Sequence, residues 1–87
     1  MSRLARNRRT ALARALIRDP ELVFLDEPCA SLDGRATREI EEILRAAVAA
    51  RTSLVMSTHD MGQARRMADR IVFLMHGKVH GAAPAEA

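Results

Sequence analysis

Residues 22–28 read LVFLDEP, and no other segment restricts the possible folds of this chain as strongly. Four apolar residues form an unbroken run between Pro20 and Pro28, which is typical of a strand buried on both faces of a parallel sheet. Asp26 and Glu27 follow at the carboxyl end of this strand, where open α/β sheets bind their ligands. Because two adjacent charges are costly beside a buried strand without a partner, the pattern predicts a metal ion or a polarised water next to them.

Helices and strands alternate along the rest of the chain. The sequence predicts helices over residues 3–18 and 34–50, a short helix after Asp60, and strands over 22–25, 52–56, 71–75 and 78–80. Apolar residues in the second helix recur at i, i+3, i+4, i+7 and i+8, which marks one buried face. Glu41 and Arg45 are expected to form an i,i+4 pair on its exposed side. This alternation predicts an α/β fold with a parallel sheet flanked by helices.

Polar residues mark where the elements begin and end. Asp33 and Asp60 precede the second and third helices, and aspartate is a favoured N-cap residue. Asp60 and Gln63 also have the spacing of a capping box. Residues 76–77, His-Gly, are predicted to form the two-residue turn of a closing hairpin, and residues 82–87 are expected to be a loose tail.

Composition limits the class of protein. At 87 residues the chain forms one domain at most, and a hydrophobic content of 48% excludes compositional disorder. One cysteine, Cys29, excludes an internal disulfide and fits a reducing cytoplasm. No apolar stretch approaches the roughly 20 residues of a membrane helix, so no direct membrane span is expected.

The net charge of +3 comes from arginines near the start of the chain. Six of them precede Asp19, the first acidic residue: Arg3, Arg6, Arg8, Arg9, Arg14 and Arg18. An exposed helix face accounts for this excess, and a nucleic-acid or membrane-surface arm is the alternative. No aromatic residue interleaves with the arginines to stack on bases, so no nucleic-acid partner is expected.

Two short motifs follow LVFLDEP in a characteristic order. ASLD occupies residues 30–33, and STHD occupies residues 57–60 after a second apolar strand. This order resembles the C-terminal half of the ATP-binding-cassette (ABC) ATPases, whose corresponding segments are the Walker B strand, the D-loop and the switch histidine. TALARAL at residues 10–16 is similar to the helix after the family's signature loop. The likeness runs from about Arg8 to Gly81, and residues 1–7 depart from the family pattern.

The resemblance implies roles for five residues. Asp26 would bind Mg²⁺, and Glu27 would polarise the water that attacks the γ-phosphate of ATP. His59 would donate a hydrogen bond to the γ-phosphate. Ser31 and Asp33 match the D-loop, which in family dimers reaches the nucleotide of the opposite subunit; for Asp33, a helix N-cap is the alternative, and one residue can serve both purposes. ATP and Mg²⁺ are therefore the expected cofactors.

The segments that bind the phosphates do not occur in these 87 residues. There is no GxxxxGK[ST] phosphate loop, no glutamine loop and no signature with a glycine pair. The backbone cradle and lysine that hold the phosphates are thus missing. The resemblance then implies a single partial domain over residues 1–87, a C-terminal fragment of an ABC nucleotide-binding domain. On its own, such a fragment is expected to bind ATP weakly or not at all and to be inactive.

The family resemblance predicts an ATP-hydrolysing subunit of a transporter. Residues 63–71, QARRMADRI, resemble the corresponding stretch of importer cassettes for a small ion or solute. The alternatives are a non-catalytic remnant or regulatory fragment, and a cassette ATPase of DNA repair or chromosome maintenance. Expected partners are the missing N-terminal half or a second cassette subunit, and a transmembrane permease subunit. The expected location is cytoplasmic, at the inner face of the cell membrane.

Overall fold

The computed structural model describes residues 2–84 and contains alternating helices and strands, as predicted. The elements in chain order are α1 (Arg3–Leu16), β1 (Leu22–Asp26), α2 (Gly34–Ala49), β2 (Ser53–Ser57), α3 (Met61–Met67), β3 (Arg70–Met75) and β4 (Lys78–Pro84). The expected α/β class is confirmed. No helix within residues 2–84 has the length and apolar character needed to cross a membrane.

The strands form two separate pairs. β1 and β2 are parallel, with Leu22 opposite Ser53 and Asp26 opposite Ser57. β3 and β4 form an antiparallel hairpin. A parallel pair needs a crossover connection, and α2 supplies it between β1 and β2. The carboxyl ends of β1 and β2 therefore lie side by side.

The core lies between the parallel strands and the first two helices. Leu12 of α1 packs with Ile40 and Leu44 of α2, and all three side chains are buried. Leu25 of β1 and Met56 of β2, which are opposite each other in register, pack against this cluster. The apolar stripe of α2 thus covers one face of the parallel pair, as its periodicity predicts.

The prediction that β1 is buried on both faces is wrong for the described part of the chain. Val23 is buried, but Leu22 is 49% exposed and Phe24 is 71% exposed. Val55, opposite Phe24 on β2, is 50% exposed. Alternate residues of a strand point to opposite faces, and within residues 2–84 the core cluster contacts only the face that carries Leu25.

The predicted helix starts are confirmed. Asp33 Oδ1 accepts a hydrogen bond from the Ala36 amide at 2.8 Å, and Asp60 Oδ1 accepts one from the Gln63 amide at 3.2 Å. The reciprocal half of a capping box does not form at α3, because the Gln63 side chain donates to Glu41 instead. The backbone amide of Gln63 thus completes the helix cap, while its side chain makes a hydrogen bond to α2.

The closing hairpin is longer than predicted. His76 and Gly77 have φ angles of 53° and 76°, as the predicted two-residue turn requires. β4 continues to Pro84, because residues 82–84 pair with residues 70–72 of β3. The loose tail expected from residue 82 is therefore wrong for residues 82–84, and residues 85–87 lie outside the described part.

Candidate active site

The candidate site lies at the adjoining carboxyl ends of β1 and β2. The Glu27 amide donates to the Ser57 carbonyl at 3.0 Å and lies 3.1 Å from Ser57 Oγ. Ser57 Oγ in turn donates to Asp26 Oδ1. One serine on β2 therefore holds both carboxylate residues that follow the apolar run of β1.

His59 reaches the same place from the end of β2. Its Nδ1 atom is hydrogen-bonded to Glu27 Oε1. The His59 side chain is 94% exposed and that of Glu27 is 36% exposed. An exposed pair of this kind contributes little to folding.

A shallow cavity of about 220 Å³ lies against this pair. Its wall combines polar groups from the end of β2 and the start of α3 with small or apolar residues from the loop after β1. The lining residues are Glu27, Cys29, Ala30, Leu32, Thr37, Thr58, His59, Asp60 and Gln63. Glu27 and His59 thus face a common solvent space that can admit a reacting group.

The turn at Glu27 is held by an arginine that the sequence did not single out. Glu27 has a φ of 44°, a left-handed conformation that is uncommon for residues other than glycine. Arg8 Nη1 donates to the Glu27 carbonyl at 3.3 Å and to the Pro28 carbonyl at 2.9 Å. Arg8 is half-buried. Nothing in the sequence distinguishes it from the other arginines of α1, since its role depends on how α1 packs.

Ser31 and Asp33 lie in the loop between β1 and α2. Ser31 is exposed with a φ of 65°, and Asp33 caps α2. Within residues 2–84 neither side chain is hydrogen-bonded to Asp26, Glu27 or His59. The N-cap role of Asp33 is confirmed, and a role of either residue toward nucleotide stays a prediction.

Asp26 fits as one ligand of Mg²⁺. Its side chain is exposed, and the hydrogen bond from Ser57 Oγ fixes Oδ1. Mg²⁺ is commonly bound by one or two carboxylates together with waters and substrate phosphates. Among the described residues no group of three or more His, Cys, Asp or Glu can hold a metal ion. Asp26 would therefore share the ion with phosphate and water oxygens, and the ion would neutralise phosphate charge.

Cys29 lies in the cavity wall without the features of a nucleophile. Burial raises the pKa of its thiol, and a hydrogen bond from Gln63 opposes this only in part. The thiol is therefore protonated near neutral pH, and the thiolate is the reactive form. Cys29 is best described as a small packing residue beside the site.

The expectation that Glu41 lies on the exposed side of α2 is wrong. Its side chain is only 2% exposed. Arg45 Nη2 does lie 3.6 Å from Glu41 Oε1, as the i,i+4 spacing predicts. The main partners, however, are Arg66 and Gln63 of α3. Helical periodicity within α2 could not reveal that α3 covers this position.

Comparisons with known proteins find ATP-binding proteins of transport systems among the relatives of this chain. No family model matches the chain. A phosphate import ATP-binding protein of Natronomonas pharaonis is 51% identical over 78 residues, which are 90% of this chain and 28% of that protein. A nickel import ATP-binding protein of Rhodobacter capsulatus is 46% identical over 81 residues, 90% of this chain and 32% of that protein. A Nod factor export ATP-binding protein of a Rhizobium species is 45% identical over 71 residues, 82% of this chain and 23% of that protein.

A solved structure shares the fold. It is an ATP-binding cassette determined as a dimer in a post-hydrolysis state bound to ADP and Pi. The TM-score is 0.82 with 29% sequence identity, over 93% of this chain and 35% of that chain. The predicted resemblance to the ATP-binding subunits of ABC transporters is thereby confirmed. The chain spans about a quarter to a third of the curated relatives it matches.

Proposed function

We propose that this chain is the part of an ABC transporter's ATP-hydrolysing subunit that carries the catalytic carboxylates and the switch histidine. The observation that carries the proposal is the meeting of Asp26, Glu27 and His59 at the ends of two parallel strands. Phosphoryl transfer to water needs a metal to neutralise charge and a positioned water more than it needs covalent chemistry. In the proposed site, Asp26 would hold the metal and Glu27 would position the water.

Each side chain has a distinct task in the proposed reaction, the conversion of ATP and water to ADP and phosphate. Asp26 holds Mg²⁺, which neutralises phosphate charge when bound. Glu27 accepts a hydrogen bond from the attacking water and orients it. His59, beside Glu27, donates a hydrogen bond to the γ-phosphate. Ser31 and Asp33 face the nucleotide of a second cassette, in support of which the similar solved structure is a dimer.

The proposed context is a transporter for a small ion or solute, of importer type. Relatives named for phosphate and nickel import support this direction. The proposed partners are the rest of the nucleotide-binding domain or a second cassette subunit, and a transmembrane permease subunit. The proposed place is the cytoplasmic face of the cell membrane. These 87 residues contain no phosphate loop, so we expect the chain alone to bind ATP weakly or not at all and to be inactive.

A chimera tests the catalytic proposal. Residues 8–81 would replace the matching segment of the Natronomonas phosphate import ATP-binding protein, and Mg²⁺-dependent ATP hydrolysis would be compared with that of the unmodified relative. We expect hydrolysis, and we expect Glu27→Gln in the graft to lower kcat by about 10²–10⁴-fold. Glu21→Gln, an exposed carboxylate just before β1, is the matched control and should leave kcat unchanged.

Two other results would point elsewhere. A folded chimera that binds ATP without hydrolysing it would favour the non-catalytic remnant. Unchanged kcat in the Glu27→Gln chimera would show that Glu27 takes no part in the reaction.

Titration calorimetry of the 87-residue chain with ATP and Mg²⁺ tests the separate expectation that the chain alone binds ATP weakly. Tight, saturable binding heat would contradict that expectation.

A further inference from the structure

The most enclosed charged group in the described part of the chain is the carboxylate of Glu41. It is 2% exposed and lies on α2 between the buried residues Ile40 and Leu44. A buried charge carries a large desolvation cost, and well-packed apolar residues often stabilise such a position as well or better. The Glu41 carboxylate is therefore expected to make contacts that an apolar side chain could not make.

Both oxygens of Glu41 are tied to α3. Arg66 donates through Nε to Oε1 at 3.2 Å and through Nη2 to Oε2 at 2.9 Å, which is the paired geometry of a guanidinium fork. Gln63 Nε2 donates to Oε2 at 3.1 Å, and the Gln63 side chain is itself buried. Three hydrogen bonds therefore connect one carboxylate of α2 to two side chains of α3.

α3 is held by these hydrogen bonds and by limited apolar packing, in which Met67 contacts the cluster of Leu12, Ile40 and Leu44. It has only seven residues, Met61–Met67, and so short a helix is marginal without tertiary support. Gly62 lowers its intrinsic helix propensity further. Among its residues, only Ala64 and Gln63 are fully buried. The hydrogen bonds to Glu41 are therefore expected to contribute much to fixing the position of this helix.

The start of α3 is the place where His59 lies. Asp60, the next residue, caps the helix by accepting from the Gln63 amide, and its carbonyl accepts from the Ala64 amide at 3.0 Å. The Asp60 amide donates to Thr58 Oγ1 at 3.0 Å. The corner from Thr58 to Asp60 is thus fastened to α3, so a shift of the helix moves His59.

We propose that Glu41 is a positioning residue whose buried carboxylate holds α3, and through it the His59 imidazole, beside Glu27. Arg66 and Gln63 connect the Glu41 carboxylate on α2 to α3, the helix that follows His59. The catalytic consequence rests on the proposed function of His59. The position of the imidazole, in contrast, is measurable without nucleotide. A failure of the positioning role of Glu41 is therefore distinguishable from a failure of the proposed catalytic role of His59.

The experiment compares histidine ring signals in ¹H–¹³C NMR spectra of the full 87-residue chain. The variants are Glu41→Gln, which removes the charge, and Arg66→Lys, which keeps the charge and removes the fork. Glu42→Gln, an exposed neighbour on α2, is the matched control. His76, in the turn between β3 and β4, serves as the internal reference.

We expect the His59 signal to move in Glu41→Gln and, by less and in the same direction, in Arg66→Lys, with His76 unchanged. Amide exchange in α3 should become at least about tenfold faster in both variants. Glu42→Gln should match the wild type. If Glu41→Gln unfolds the chain, so that the His59 and His76 signals change together, Arg66→Lys decides. A His59 signal that stays at its wild-type position in folded Arg66→Lys, or moves equally in Glu42→Gln, overturns the proposal.

Discussion

His59 Nδ1 and Glu27 Oε1 are hydrogen-bonded although 32 positions separate the two residues in the chain. The contact exists because β1 and β2 are parallel and end side by side, so that each strand delivers one of the two residues. Neither side chain is buried in the core. The pair is therefore free to exchange its mutual hydrogen bond for bonds to a substrate.

This contact predicts that the effects of removing the two side chains are not independent. In the chimera, Glu27→Gln and His59→Ala should each lower kcat by about 10²-fold or more. The double variant should be slowed by much less than the product of the two factors, because residues that act as a unit are non-additive. His76→Ala should have no effect. Steady-state ATP hydrolysis measures all four, and strictly multiplicative effects would show that the two residues act separately.

Ser57 is expected to control the affinity for Mg²⁺ without binding the ion. Its hydroxyl holds Asp26, and its backbone holds Glu27. Partners that orient a metal ligand typically matter by 10–100-fold in affinity or activity. Ser57→Ala in the chimera should therefore raise the Mg²⁺ concentration for half-maximal hydrolysis by about that factor.

Ser53→Ala is the matched control, because Ser53 is an exposed residue at the opposite end of β2. It should leave the Mg²⁺ dependence unchanged. Equal shifts in both variants would indicate a general disturbance of β2, and no shift in Ser57→Ala would show that Asp26 needs no such support.

The Glu41 carboxylate predicts a specific loss of stability in acid. Hydrogen bonds from Arg66 hold the pKa of Glu41 below its ordinary value, with further help from Gln63 and Arg45 and against the opposing effect of burial. A carboxylate with a lowered folded-state pKa stabilises the fold above its unfolded pKa, which is about 4.3. That contribution disappears as the pH falls through the folded-state pKa. The nearby Cys29 thiol is neutral over this range.

Urea unfolding of wild type and Glu41→Gln between pH 7 and pH 3 measures this effect. The variant should be less stable at neutral pH, by on the order of 1–3 kcal/mol, and the difference should shrink below about pH 4.3. Glu42→Gln should follow the wild-type curve. A difference that is independent of pH would mean that the charge of Glu41 is not what stabilises α3.

The uneven cover of the parallel pair predicts opposite outcomes for two large-to-small substitutions. Leu44 is completely buried, so Leu44→Ala should cost about 2–5 kcal/mol in the free energy of unfolding. Phe24 is 71% exposed, so Phe24→Thr should change this free energy by no more than about 0.5 kcal/mol. Urea unfolding measures both. A cost for Phe24→Thr similar to that of Leu44→Ala would mean that this face of the sheet is covered in solution.

Local sequence signals were sufficient to predict most of the elements and the place of Asp26 and Glu27 at the end of β1. The apolar run before Asp26 and Glu27 predicted a strand of a parallel sheet, and residues 22–26 form β1, which pairs with β2 in parallel. Ligands at its carboxyl end stay a prediction. Asp33 and Asp60 marked helix starts correctly, because an N-cap needs only a side chain and an amide three residues away. The turn at His76 and Gly77 is local in the same sense.

Chain-distant contacts could not be predicted in this way. Whether Phe24 is covered depends on which helices or strands pack against that face of the sheet. The apolar character of the residue alone does not indicate this. Arg8 and Glu41 look like ordinary surface charges in the sequence, yet one holds the turn at Glu27 and the other holds α3. The reason is physical: strand and cap signals arise from neighbours along the chain, whereas the partner of a long charged side chain is set by how helices and strands pack in space.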